Sequence, residues 1–446
     1  MSSNTYGSFT FVGVYKGYSQ YLVISYQQYL TQLALFMASV DELYRTSRDF
    51  ETAHREFEAE KICYIPISSL LLKPPHRLVH YQLLLARLVG FYSELGGAQP
   101  DLSDCRVALD KLTVLNNGTK ESVRSLENFV KLVELERDLA GVDNLVLPNR
   151  YFLREGCLQR YSRKGSVQRM FFLLNDSLIY ANRTGSTSAN LQFKIHGQIP
   201  LRGLMLEDGD PFKVTSGLMH CFTIYGGNRS LVIAAGSAEE KSIWVESISK
   251  AVMAAKENAA DLPNFTTLRA CSSTDEVDTR SLTVLGGRVG DAPGSPEDAS
   301  MSPGAGGTGE RVLSHRANNT THVCWHRCTT LSMEDIHKSC RTLLSGYLLR
   351  KFRNSTGWQK LWVVHTNFCL YFYRSHTEDS PLASLPLLGY HVGAPDTADS
   401  ITKSHVFKLH YKTHFYFFRA ESDYTYNRWL EVLRASCGIA FAGRSQ

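Results

Sequence analysis

His322, Cys324, His326 and Cys328 stand at every second position of one short run, and imidazole and thiolate are ligand types that zinc prefers. Four ligands so tightly spaced along one strand or loop would struggle to converge into a tetrahedron. The run therefore reads as a strand or loop that packs on a neighbouring domain, with no metal. No phosphate-binding loop, Ser/His/Asp grouping or carboxylate pair stands out from background. The expectation is a protein without covalent chemistry and without a cofactor.

Recognition chemistry is written instead at residues 70–88, LLLKPPHRLVHYQLLLARL. Leu78, Tyr81, Leu85 and Leu88 recur at i, i+3, i+7 and i+10, which makes one buried helical stripe. Pro74 and Pro75 fit the first turn, where a backbone N–H has no partner within the helix. Arg77, His80, Leu84 and Arg87 line a second side at the same spacing, where a core would not need them.

Residues from about 12 to 140 read as helices throughout, within a unit that spans 12–148, and must hold that side in place. Gly17 to Val40 has no charged residue, yet Gln20, Gln27, Gln28 and Gln32 are too polar for a lipid-facing span. The segment reads as an amphipathic helix with Tyr18, Leu22, Tyr26 and Tyr29 on related faces. LSDCRVALDKLTVL carries Val107, Leu109, Leu112 and Leu115; ESVRSLENFVKLVELERDL carries Val123, Leu126, Val130 and Val133. Residues 1–11 read as an irregular start.

Near Arg154 the pattern changes to short alternating or apolar runs broken by turn residues, which means strands. A helix with Trp244, Ile248, Ala251 and Val252 inward closes this unit at 151–256. Residues 257–341 form a linker rich in glycine, proline and serine that cannot repay the entropy of folding, although HVCWHRCTTLSMEDIHKS near its end is more structured. The strand pattern then repeats over 342–438, ending in a helix with Tyr426, Trp429, Leu430 and Leu433, before a tail at 439–446.

Composition agrees with several ordinary domains. The 446 residues are 43% hydrophobic and 11% aromatic, enough for real cores, and the net charge is +5. That mild excess suits an anionic membrane surface and is far from a nucleic-acid-binding composition. Ten scattered cysteines without a paired framework, and no signal peptide, point to a reducing cytoplasmic compartment.

A strand-rich unit closed by a tryptophan-bearing helix resembles a pleckstrin-homology (PH) domain. LLKPPHRLVHYQLLLARL resembles the third conserved region of a Dbl-homology (DH, or RhoGEF) domain, which typically has Leu-x-Lys-Pro-x-Gln-Arg before a tyrosine and a leucine run. The order DH, PH, linker, PH, with LENFVKLVELERDLAGVDNL, HVCWHRCT and GWQKLWVV, resembles the FERM, RhoGEF and pleckstrin (Farp-type) family of exchange factors. The implied fold class is multidomain α + β: an incomplete all-helical DH bundle, then two antiparallel β-sandwich or barrel PH domains, each capped by a C-terminal helix.

The resemblance implies guanine-nucleotide exchange on a Rho-family, Rac-like GTPase, linking membrane signals to the actin cytoskeleton at the cytoplasmic face of the plasma membrane. Lys73 and Pro74 match the motif, Leu84 fits the exposed leucine, and Asn116 stands where many members place an asparagine. His76 replaces the usual glutamine and His80 a common lysine, which keeps hydrogen bonding but lowers fixed charge. The implied GTPase-binding set is Lys73, His76, Arg77, His80, Leu84 and Asn116. No residue before 12 supplies the first-helix glutamate of a full DH domain, and the FERM domain is missing, so the chain reads as an N-terminally truncated form. The alternative is a membrane-binding adaptor with two PH domains and compromised exchange.

Phosphoinositide-binding PH domains use a basic residue ending strand one and a Lys/Arg-x-Arg opening strand two. The first unit offers Arg160, Arg163, Lys164 and Arg169; the second offers Arg350, Lys351, Arg353 and Lys360. Both lack the first basic residue of the second element. Weak attraction to anionic lipid, about 1 kcal/mol per nearby basic residue, is the expectation.

Overall fold

The computed structural model describes residues 11–60, 62–95, 100–142, 144–162, 165–184, 193–210, 219–227, 229–257, 318–339, 341–351 and 357–437. Its contacts divide into two units, one of residues 11–58 and 65–130 and one of residues 59–64 and 131–437. The expectations for residues 1–10, for the linker over 258–317 and for the tail lie outside the described residues.

The first unit is helical: α1 (Phe11–Thr46), α2 (Arg48–Ala59), α3 (Ile67–Leu71), α4 (Lys73–Leu95) and the start of α5 (Pro100–Asp138). Pro74 and Pro75 occupy the first turn of α4. From α4, Leu78 and Leu85 bury against Cys105, Ala108, Leu112 and Leu115 of α5, with Tyr81 and Leu88 half-buried beside them. Each fully buried leucine contributes about 1.5–3 kcal/mol.

Val107 is 41% exposed, a correction to its expected place in this core. Leu112 and Leu115 fix the inner face, and steps of four and seven back from Leu112 select Ala108 and Cys105 instead. On α1, Leu30, Leu33 and Met37 form the buried stripe, packed with Leu72, Leu126 and Val130. Tyr26 and Tyr29 border these cores, whereas the side chains of Tyr18 and Leu22 lie outside the description. Among the described residues no helix is long and apolar enough to cross a membrane.

In the second unit, β1 (Leu139–Ala140) is followed by β2 (Phe152–Ser162), β3 (Gly165–Leu174), β4 (Ser177–Arg183), β5 (Phe193–Pro200), β6 (Met205–Asp208), β7 (Cys221–Gly226), β8 (Arg229–Ala234) and α6 (Ala238–Glu257). Beyond residue 317 come α7 (Thr320–Arg327), β9 (Thr330–Ser332) and α8 (Met333–Ser339). Next are β10 (Leu344–Lys351), β11 (Trp358–Thr366), β12 (Cys369–Tyr373), β13 (Ala383–Pro386), β14 (His391–Gly393), β15 (Val406–Tyr411), β16 (His414–Arg419) and α9 (Asp423–Ser436).

Strand order is β5-β4-β3-β2-β8-β7-β6 in one sheet and β13-β12-β11-β10-β16-β15-β14 in the other. Counted within each copy the two orders are identical, so the repeat in the sequence is a repeat of topology. Trp244, Ile248, Ala251 and Val252 of α6 close the first core. Trp429, Leu430 and Leu433 of α9, with Tyr426 at the edge, close the second.

The linker does not run to residue 341: residues 318–339 form helix, strand and helix. Nor is the His322–Cys328 run a strand or loop, since it lies on α7 and its cap. The Asn319 side chain accepts from Thr321 N–H and starts the helix, while Val323, Cys324, Leu331 and Met333 bury in a core shared with Phe152, Phe193, Phe368 and Leu388. That core offsets the entropy cost of ordering the segment.

Candidate functional site

Antiparallel contact between α4 and α5 decides which way each candidate GTPase-binding residue turns. Asn116 Nδ2 donates to the Leu78 carbonyl at 3.2 Å and to Gln82 Oε1 at 2.7 Å. One turn back along α5, Thr113 Oγ1 accepts from Gln82 Nε2 at 2.9 Å. His76 Nε2 lies 2.7 Å from Glu127 Oε1, a carboxylate that is itself buried. Asn116 and His76 thus brace α4 on α5 rather than face outward.

Arg77 and Leu84 do face outward, seven residues apart on one stripe, with Leu84 47% exposed. Arg77 holds its guanidinium 5.2 Å from the centre of the Tyr81 ring, which fixes its direction. The nearby Tyr26 phenol is pushed up, first by burial and then by Tyr81, with Arg77 opposing. Lys73 and His80 are half-buried on the same helix.

Two residues of α4 and α5 were not singled out by sequence reasoning, one in the brace and one on the exposed side of α5. Gln82 is the hub of the brace, but its role depends on an interhelical register that periodicity does not give. Val114 of α5 is 73% exposed, and its exposure follows from the corrected α5 face, on which Ala108, Leu112 and Leu115 point inward.

The lipid candidates divide differently from the expectation. Arg160 is buried with its guanidinium 5.5 Å from the Tyr180 ring, and Arg350 is buried 5.4 Å from the Phe372 ring. Burial holds the Arg350 pKa below the usual arginine value. Arg169 is also buried and donates to the Gln168 carbonyl at 3.1 Å. These three guanidiniums therefore lie against the folded sheet. Lys360 is exposed, 4.6 Å from the Tyr347 ring, and Lys351 is half-buried. Arg163, Lys164 and Arg353 lie outside the described residues.

The His/Cys run diverges. His322 is buried with Nε2 3.8 Å from Asp138 Oδ2, whereas His326 Nε2 accepts from Arg183 Nη1 at 2.7 Å. Cys324 is buried, and burial pushes its thiol well up; Cys328 is exposed beyond the helix end. Among the described residues no group of three or more His, Cys, Asp or Glu could hold a metal ion.

Comparison with known proteins agrees with this architecture. The RhoGEF domain family model matches residues 4–117, and the PH domain model matches 152–253 and 342–438. FERM, ARHGEF and pleckstrin domain-containing protein 2 of Mus musculus is 44% identical over 404 residues, 89% of this chain and 35% of the relative. FERM, ARHGEF and pleckstrin domain-containing protein 1 of Gallus gallus is 44% identical over 90% of this chain and 36% of its own length. FYVE, RhoGEF and PH domain-containing protein 6 of Homo sapiens is 26% identical over 92% of this chain and 32% of its own length. The chain spans about a third of the length of these relatives. It carries a RhoGEF domain and PH domains, and over about nine-tenths of its length it is similar to the FERM, ARHGEF and pleckstrin domain-containing proteins.

Proposed function

We propose that this chain is a guanine-nucleotide exchange factor for a Rho-family GTPase of the Rac-like kind, acting without covalent chemistry. The observation that carries the reading is the α4 face, where Arg77 and Leu84 project from a helix braced by Asn116, Gln82 and the His76–Glu127 pair. An exchange factor has to bind the nucleotide-free GTPase better than the loaded one. Linkage then requires it to weaken nucleotide affinity by the same factor. A pre-ordered helix serves that end, because little side-chain freedom is lost on docking. The PH units supply weak attraction to anionic lipid, with Lys351 and Lys360 as contacts, and bring the chain to the plasma membrane, where it acts on the actin cytoskeleton.

Release of a fluorescent guanine nucleotide, measured across a panel of Rho-family GTPases, tests the reading. Faster release from Rac-like members is the expected result. Release that stays at the intrinsic rate for every member would overturn it, and salt-sensitive binding to anionic vesicles would then favour the membrane adaptor.

A further inference from the structure

Cys328 follows the last residue of α7 in a left-handed conformation, φ 48° and ψ 53°, with its N–H bonded to the Cys324 carbonyl. Glycine or asparagine costs least at such a helix end, so cysteine is an uncommon occupant. Of the cysteines among the described residues, Cys328 is exposed and the others are buried. The chain then enters β9, which runs antiparallel to β2 and pairs Thr330 with Gly156, Leu331 with Glu155 and Ser332 with Arg154. The Cys157 N–H donates to the Thr329 carbonyl at 3.1 Å, so Cys328 adjoins the residue opposite Cys157. Among the groups that act on the Cys157 thiol, Cys328 raises its pKa and Gln168 lowers it.

We propose that Cys157 and Cys328 form a reversible disulfide on exposure to a low-molecular-weight disulfide such as oxidised glutathione, fastening the α7–β9 segment to β2. The inference stands apart from the exchange reading. Cys328 is the attacking thiol because it is accessible. Cys157 is the resolving thiol, its pKa pushed well up, chiefly by burial and then by Cys328. In the first step the Cys328 thiolate attacks one sulfur of oxidised glutathione. That S–S bond breaks, one glutathione thiolate leaves and takes a proton from solvent, and Cys328 carries the other. In the second step Cys157 loses its proton to solvent and attacks Cys328 Sγ, expelling the second glutathione. Two protein thiols lose two electrons, and one glutathione disulfide gains them as two thiols.

Such a bond would act on more than one element. Arg327, beside Cys328 in the chain, donates through Nη1 to the carbonyls of Pro386 at 2.7 Å and Leu388 at 2.6 Å. One end of the segment would then be held covalently to β2, and its neighbour is already held by the second PH-like fold.

The test uses the full chain incubated with oxidised glutathione, alkylated under denaturing conditions, and digested without reductant for mass spectrometry. The expected product is a Cys157 peptide joined to a Cys328 peptide, lighter by two hydrogens and lost on reduction with dithiothreitol. The melting temperature of the oxidised chain should rise by several degrees over the reduced one. Cys328→Ser, at an exposed position, should keep the circular dichroism of the parent but lose both the linked peptide and the rise. Cys328 recovered as a lasting glutathione adduct, with Cys157 alkylated, would overturn the proposal. So would linkage of Cys328 to any other cysteine, or no reaction at either thiol.

Discussion

Lys131 Nζ lies 2.9 Å from Glu155 Oε1, and both side chains are buried, 4% and 0% exposed. Thr320 Oγ1 donates to the same oxygen at 2.7 Å, and Thr321 Oγ1 donates to Glu155 Oε2 at 2.7 Å. One carboxylate therefore ties the end of α5, strand β2 and the start of α7 together. Burial alone would lower the Lys131 pKa, but Glu155 and then Glu134 outweigh it and the net shift is upward. Lys131 is thereby held as a cation, and the cost of burying it is met by hydrogen bonds to Glu155, Thr320 and Thr321.

Replacing Lys131→Met should lower unfolding free energy by about 3–5 kcal/mol, because Glu155 is left buried and charged. Adding Glu155→Gln should recover much of that loss, since a neutral amide oxygen still accepts from a threonine. Urea unfolding of both single variants and the double variant measures the coupling. Strictly additive losses would mean that the two groups do not act as a pair.

Glu240 gives the fold a pH dependence. Its carboxyl is pushed up to about 7, first by burial, while the Gly236 N–H and Arg154 oppose the shift. The folded chain thus holds this proton to about pH 7, whereas an ordinary glutamate releases it near 4.5. Folding binds a proton between those values, so the contribution is complete below about 4.5 and is lost as pH rises through 7. Its full size is about 3 kcal/mol. Glu134, also raised to about 7 by burial, adds a slope of the same sign. Urea midpoints measured from pH 5 to 8 should fall with pH, and Glu240→Gln should flatten the curve in part. An unchanged slope in that variant would remove Glu240 from the account.

What could be read early was whatever repeats along the chain. Trp244 and Trp429 head apolar stripes at helical spacing, and α6 and α9 bury those stripes. Leu78 and Leu85 were legible for the same reason. Partners distant in sequence were not. His76 meets Glu127, and Gln82 meets Asn116, only through the register of α4 on α5. Arg160 and Arg350 carry the composition of a lipid contact, and only the folded sheet shows them turned against Tyr180 and Phe372. The short α7 reads from its sequence as a strand or loop; its Asn319 cap and its buried face make it a helix.

Contact and scaffold should separate in a pair of α4 variants. Leu84→Ala removes a half-exposed side chain, so the melting temperature should stay within a degree or two while nucleotide release from the target GTPase slows several-fold. Gln82→Ala breaks the bonds to Asn116 and Thr113 and should cost about 1–2 kcal/mol of stability, with release falling alongside it. Differential scanning fluorimetry beside the release assay reads both. Leu84→Ala with unaltered release would remove that residue from the GTPase contact.

Arg327 tests how the bridging segment is held. Its Nη1 serves two carbonyls, Pro386 and Leu388, and its guanidinium lies 4.7 Å from the Tyr390 ring and 5.2 Å from the Tyr411 ring. A planar cation is needed to stack on aromatic rings and donate sideways at once. Lysine keeps the charge but offers a compact ammonium with strong hydration, so Arg327→Lys should restore little of what Arg327→Ala loses. Truncation to alanine leaves two carbonyls short of a donor and opens space between the rings, a loss of about 2–4 kcal/mol. Hydrogen exchange should show the consequence locally, with faster exchange over residues 320–332 and 386–390 and little change in α6. Full rescue by lysine would show that charge alone holds the segment, and that the stacked geometry contributes nothing.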